Sequence, residues 1–169
     1  MTYQAIINGA RGLIYFGGNN EGALNERDKK LGWNWQFWER VLRPVVEEIG
    51  SKGPLYPALV APNSRLAIRV QLASSSQPSP PKEERESAQS LRDKRLNGVE
   101  FCVREVGSEL FILACKGEGV TEKAEFIGLP PSAARGDVLY EEPRTIQAKD
   151  GKFTDWFGPY EVHVYRFKQ

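Results

Sequence analysis

"VEFCVREVGSELFILACK", residues 99 to 116, is two runs rich in Val, Phe, Ile and Leu on either side of a Gly-Ser pair. Apolar, β-branched and aromatic residues in short blocks are strand formers, and Gly107-Ser108 suits a two-residue type II′ hairpin turn. The turn sets a register in which Val106 faces Glu109 and Cys102 faces Leu113. Cys115 then lies diagonally from Cys102, about 7 to 8 Å away, whereas a disulfide needs Cβ atoms about 3.8 Å apart. Both cysteines are therefore expected to be reduced and buried, as free cysteines commonly are.

The same grammar continues on both sides of this hairpin. "RLAIRVQLA" (65–73), "KAEFIGL" (123–129), "DVLYEEP" (137–143), "RTIQAK" (144–149), "KFTDWF" (152–157) and "YEVHVYRF" (160–167) are separated by "LPPS", "KDG" and "GPY" turns. About eight short strands with turn signals every 8 to 12 residues predict an antiparallel β-sandwich. His163, the sole histidine, alternates with Tyr165 and Phe167 on one face of the last strand, opposite Val162 and Val164. It reads as a packed or hydrogen-bonded sandwich residue. Residues 74–98, "SSSQPSPPKEERESAQSLRDKRLNG", are Ser- and Pro-rich, then charged, without aromatics. They are expected to be a disordered insertion between two sandwich strands.

The first fifty residues read differently. Tyr3, Ile6, Ile7 and Ala10 have helical spacing in a segment too short to be a helix alone, as the tail of a longer one would be. In "NGARGLIYFGG" (8–18), Leu13 to Phe16 form an apolar run with no polar side, the signature of a strand buried on both faces of a parallel sheet. A polar loop, "GGNNEGALNERDKKLG" (17–32), precedes a helix predicted from Asn34 to Ile49. Asn34 would cap it, Trp35, Trp38, Leu42, Val45 and Ile49 would form its apolar stripe, Pro44 would kink it after Leu42 or Arg43, and Gly50 would supply a left-handed stop. Nothing downstream resembles a further parallel strand with a crossover helix. The expectation is that the chain begins inside the last βα unit of a barrel or sheet and that the protein extends upstream of Met1.

"YQAIINGARGLIYFGG" with "GWNWQFWERVLRPVVEEI" resembles the final strand and helix of the (β/α)8 barrels of clan A-type glycoside hydrolases and their bacterial relatives. "FTDWFGPYEVHVYRF" is similar to the closing hairpin of the β-sandwich that follows such barrels. The resemblance implies a mixed fold: residues 1–53 as the C-terminal remnant of a (β/α)8 barrel, and 54–169 as the sandwich. It implies carbohydrate as the parent protein's partner, with both catalytic carboxylates on strands upstream. This chain would supply one wall of the cleft from the loop after the strand, where Asn19 and Asn20 offer amides to sugar hydroxyls and Trp33 a stacking face.

Chemistry within the chain is sparse. Glycoside hydrolysis needs two carboxyl groups about 5 to 9.5 Å apart on rigid elements. Glu21, Glu26 and Asp28 lie in the polar loop, and Glu47 and Glu48 are consecutive on a helix and diverge; all five read as solvated charges. No G-x-S-x-G elbow, phosphate-cradling glycine loop or tetrahedral metal set occurs, so the chain alone is expected to be inactive, without metal or cofactor. Twenty-three basic and 22 acidic residues are well mixed, which speaks against nucleic acid. No stretch nears the roughly 20 apolar residues of a membrane span, and nothing addresses the chain to a compartment. An apolar strand and stripe in residues 1–53 without their barrel should seek the missing segment or a second copy.

Overall fold

A computed structural model describes residues 1–15, 26, 30, 38–72 and 98–169. It divides into two compact units, Met1–Ala10 with Ala61–Gln169, and Arg11–Val60. The larger is built from two antiparallel sheets. One holds β1 (Arg69–Leu72), β4 (Glu122–Ile127) and β7 (Lys152–Phe157) in the order β1-β4-β7. The other holds β2 (Val99–Val106), β3 (Glu109–Lys116), β5 (Arg135–Leu139), β6 (Arg144–Gln147) and β8 (Val162–Lys168) in the order β2-β3-β8-β5-β6.

Each run picked out by its composition overlaps one of these strands, although β5 starts two residues before its run, at Arg135. The hairpin pairs Val106 with Glu109 and Cys102 with Leu113, and Gly107 has φ +57°, the positive value that a II′ turn requires at its first central position. At the other predicted turn, Asp150 and Gly151 both have positive φ, 52° and 70°. Lys149 and Lys152 exchange backbone hydrogen bonds of 2.8 and 3.0 Å across it. That is type I′ geometry, and it carries the chain from β6 in one sheet to β7 in the other.

Aromatic side chains weld the two sheets. Phe126 and Phe153 stack with ring centroids 4.7 Å apart and planes within 6°. Tyr165, from the opposite sheet, meets Phe153 edge-on at 4.9 Å and Phe126 at 5.8 Å. Phe167 approaches Phe153 at 5.5 Å. Such pairs contribute roughly 0.5–1.5 kcal/mol each beyond the area they bury. Ile112, Leu110, Val138 and Ile146 complete this core.

The far face of the five-stranded sheet is largely apolar as well: Cys102, Phe111, Leu113, Cys115 and Val164 are all buried, with Arg104, opposite Phe111, as a buried charged exception. This is why β3 reads as an unbroken apolar run instead of an alternating one. The short helix α1 (Thr2–Ile7) buries Tyr3 and Ile6 and packs on β2 and β3. Gln4 Nε2 donates to Glu100 Oε1 at 2.8 Å, and Asn8 Nδ2 donates to Glu100 Oε2. A six-residue helix is sustained by such docking, because its intrinsic stability is negligible. Residues 1–10 thus belong to the unit that holds the sheets. Cys102 and Cys115 are free thiols under this cover. Burial pushes both up, Cys115 to about 12 with help from the Glu100 carboxylate.

The smaller unit departs from the expected βα pattern. Residues 13–15 belong to no strand, and Ile14 is 96% and Tyr15 43% exposed. An extended apolar segment becomes a buried strand only when it joins a sheet that covers it, and residues 13–15 are part of neither sheet. Trp38–Leu42 is a π-helical turn that passes into helix α2 (Arg43–Ile49), with Pro44 in its first turn. The predicted kink is therefore a change of helix type, placed where proline needs no hydrogen-bond partner for its nitrogen. Trp38, Leu42, Val45 and Ile49 are half-buried, so Trp38 is not the core residue that the stripe suggested. Gly50 closes α2 with φ −66° and ψ 161°, which corrects the left-handed stop: the chain leaves extended, with the Gly50 N–H on Val46 O at 2.8 Å. Helix α3 (Tyr56–Val60) follows, and Leu55 and Ala58 are fully buried. Asn34 and Trp35, Phe16, and residues 74–97 of the predicted insertion lie outside the described residues.

Candidate functional site

Asn19, Asn20 and Trp33, the residues offered for sugar contact, lie outside the described residues, as do Glu21 and Asp28. Of the other carboxylates weighed, Glu26 is exposed and Glu47 accepts from Arg43 Nε at 2.8 Å on the surface of α2. Glu48, next in sequence, is half-buried. They do not form an opposed pair on two rigid elements.

The densest ionisable cluster among the described residues sits between the two sheets, around His163 on β8. The inward position of His163 follows from alternation along β8. Its ring packs against Phe157 of the other sheet at 4.6 Å and it is 7% exposed. His163 Nδ1 lies 2.7 Å from Glu141 Oε1, and Nε2 lies 3.1 Å from the carbonyl of Trp156. Both ring nitrogens are within hydrogen-bond reach of an acceptor, and Nδ1 also lies 3.3 Å from Arg144 Nη2.

Arg144 closes the cluster. Its Nε donates to Glu141 Oε2 at 2.9 Å and its Nη1 pairs with Asp155 Oδ2 at 2.8 Å. Asp155 Oδ2 also accepts from the Tyr165 hydroxyl at 2.8 Å. Burial opposes the charge on Arg144, but the hydrogen bonds to Glu141 and Asp155 outweigh it and hold the guanidinium above its ordinary range. Burial, and then the adjacent Asp155 carboxylate, push the Tyr165 phenol upward. The phenol thus remains a neutral donor across the physiological range.

Chemically this arrangement is a clasp. One guanidinium engages both carboxylates, the phenol is held protonated, and among the described residues no serine or cysteine is hydrogen-bonded to the imidazole to be activated. Its members come from β6, β7, β8 and the turn after β5, so it ties one sheet to the other through charge-assisted hydrogen bonds. His163 was legible in the sequence as a hydrogen-bonded sandwich residue. Glu141, Arg144 and Asp155 were not, because they are spread over separate strands and turns; the one local signal was Tyr165 two residues after His163 on the same face.

Among the described residues no three His, Cys, Asp or Glu side chains are grouped as metal ligands are, and no helix is long and apolar enough to cross a membrane. Neither a protein-family model, nor a curated protein, nor a solved structure matches the chain.

Proposed function

We propose that the chain is the C-terminal portion of a carbohydrate-active, glycoside hydrolase-like protein, contributing an accessory β-sandwich and one wall of a substrate cleft, with the catalytic carboxylates upstream. The observation that carries this reading is the exposure of Ile14, Tyr15 and Val41, at 96%, 43% and 51%, in a stretch whose residues 13–15 belong to no strand. Exposed apolar side chains on a sequence resembling a barrel strand and helix are what a missing barrel would cover. The two-sheet unit has its own core and buried clasp. The committed carboxylates of the clasp are consistent with an accessory role, since a glycosidase acid must be free to give up its proton to the leaving group.

A second reading, a non-enzymatic sandwich that binds glycans or a partner protein, draws on Trp156, Tyr140 and Tyr160, which are 58%, 40% and 70% exposed. Two measurements separate the readings. An in-frame coding region upstream of the Met1 codon, with six or seven βα units, supports the first, and an upstream stop codon refutes it. Purified chain assayed on aryl glycosides should show no turnover. Activity lost in Glu26→Ala would mean that the stretch after residue 15 is itself catalytic.

A further inference from the structure

The outward face of the three-stranded sheet is laid out by its register. Arg69, Ile127 and Lys152 form one row across β1, β4 and β7, Gln71, Glu125 and Thr154 the next, and Lys123 beside Trp156 the third. Gln71, Leu72, Lys123, Glu125 and Thr154 line a shallow depression of about 250 Å³. Trp156 stands next to it as the Cα partner of Lys123, with its side chain 58% exposed. Its neighbours Phe153 and Phe157 are buried in the core, so the backbone that presents the indole is anchored.

We infer that this face is a binding site for an acidic oligosaccharide, one bearing uronate carboxylates. Three features converge on that class. An exposed indole beside a polar depression supplies an apolar plane for the C–H face of a pyranose, while nearby groups reach its hydroxyls. The side chains of Gln71, Lys123, Glu125 and Thr154 make no hydrogen bond or ion pair with described residues, so their donors and acceptors are free for hydroxyls. Among the described residues in these rows, three cations, Arg69, Lys123 and Lys152, stand against one anion, Glu125, and this excess complements carboxylates along a glycan. Successive side chains on one face of a strand are about 6.8 Å apart. A sugar stacked on Trp156 therefore places its neighbour over Thr154 and Glu125. The site deepens the carbohydrate-active reading above but stands on the sandwich alone, so it can fail while the barrel reading survives.

The test uses the full 169-residue chain and calorimetric titration with oligogalacturonate, with cello-oligosaccharide of the same length as the neutral counterpart. Oligogalacturonate should bind, and Trp156→Ala should weaken binding by about tenfold, the loss expected from returning about 60 Å² of apolar ring face to water. Trp156→Phe should recover part of it, and Lys123→Gln should weaken binding and flatten its dependence on salt. Unchanged thermal melting of the variants shows that the sheet is intact, as expected for exposed positions. Absence of binding, equal binding by Trp156→Ala, or neutral oligosaccharide binding as well as the acidic one would overturn the assignment.

Discussion

Replacing Arg144 by Met removes the one cation that two carboxylates share. Asp155 is 12% exposed and Glu141 28%, while Arg144 is 33% exposed. After the change Asp155 retains the Tyr165 hydroxyl and the Trp156 N–H, neither of them charged, and Glu141 retains His163. Breaking a fully buried ion pair from one side costs about 3–5 kcal/mol, most of it from the charge left behind. A third of Arg144 still sees water, so the expected cost is lower, about 2–3 kcal/mol. For a chain of this size that lowers the melting temperature by roughly 5–12 °C. Asp155→Asn in the same background removes the stranded charge, so the double variant should regain part of the loss, with a coupling of about 1 kcal/mol or more. Urea unfolding of wild type, both single variants and the double variant measures this directly. If Arg144→Met falls within about 0.5 kcal/mol of wild type, or the two losses simply add, the clasp is a surface ion pair and not a bond between sheets.

Alkali should destabilise the protein in two steps. Cys115 and Tyr165 hold their protons more tightly in the fold than their ordinary values of 9.0 and 10.0, so the unfolded state releases them first. Their contribution is complete below those values and is lost as pH rises, for Cys115 between pH 9.0 and about 12; each group adds a slope of up to about 1.4 kcal/mol per pH unit. Cys115→Ala and Tyr165→Phe should each flatten the fall of the urea midpoint with pH, and an unchanged slope would refute the assignment. Gly136→Ala places a Cβ 2.8 Å from the ring atoms of Phe167, which is itself fully buried; a loss of about 1–3 kcal/mol is expected, and a neutral outcome in thermal melting would show that the ring can move aside. Neither thiol should react with a disulfide reagent in the native state, while both should react in urea; rapid labelling of native protein would contradict the cover that α1 provides.

The eight strands, the Gly107-Ser108 turn and the cysteine register were determined locally. A two-residue turn fixes which residues face each other, and short apolar blocks between turn residues fix where strands run. The inward place of His163 followed from alternation alone. The tertiary structure decided what faces what. Sequence spacing made α1 the tail of a barrel helix, yet Tyr3 and Ile6 cap the outer face of the five-stranded sheet, because a short apolar stripe fits any apolar surface of the right shape. Leu13 to Tyr15 read as a buried strand, but burial belongs to neighbours that the pattern cannot supply. Trp38 fell in a helical stripe and emerged half-buried, as Leu42, Val45 and Ile49 did, because spacing sets which residues share a face and not how deeply that face is covered. The clasp was illegible for a related reason: Glu141, Arg144, Asp155 and Tyr165 meet only after β6, β7 and β8 are brought together, and nothing in a linear spacing encodes a contact between strands of two different sheets. Local rules fix period and turn; long-range packing alone fixes partners.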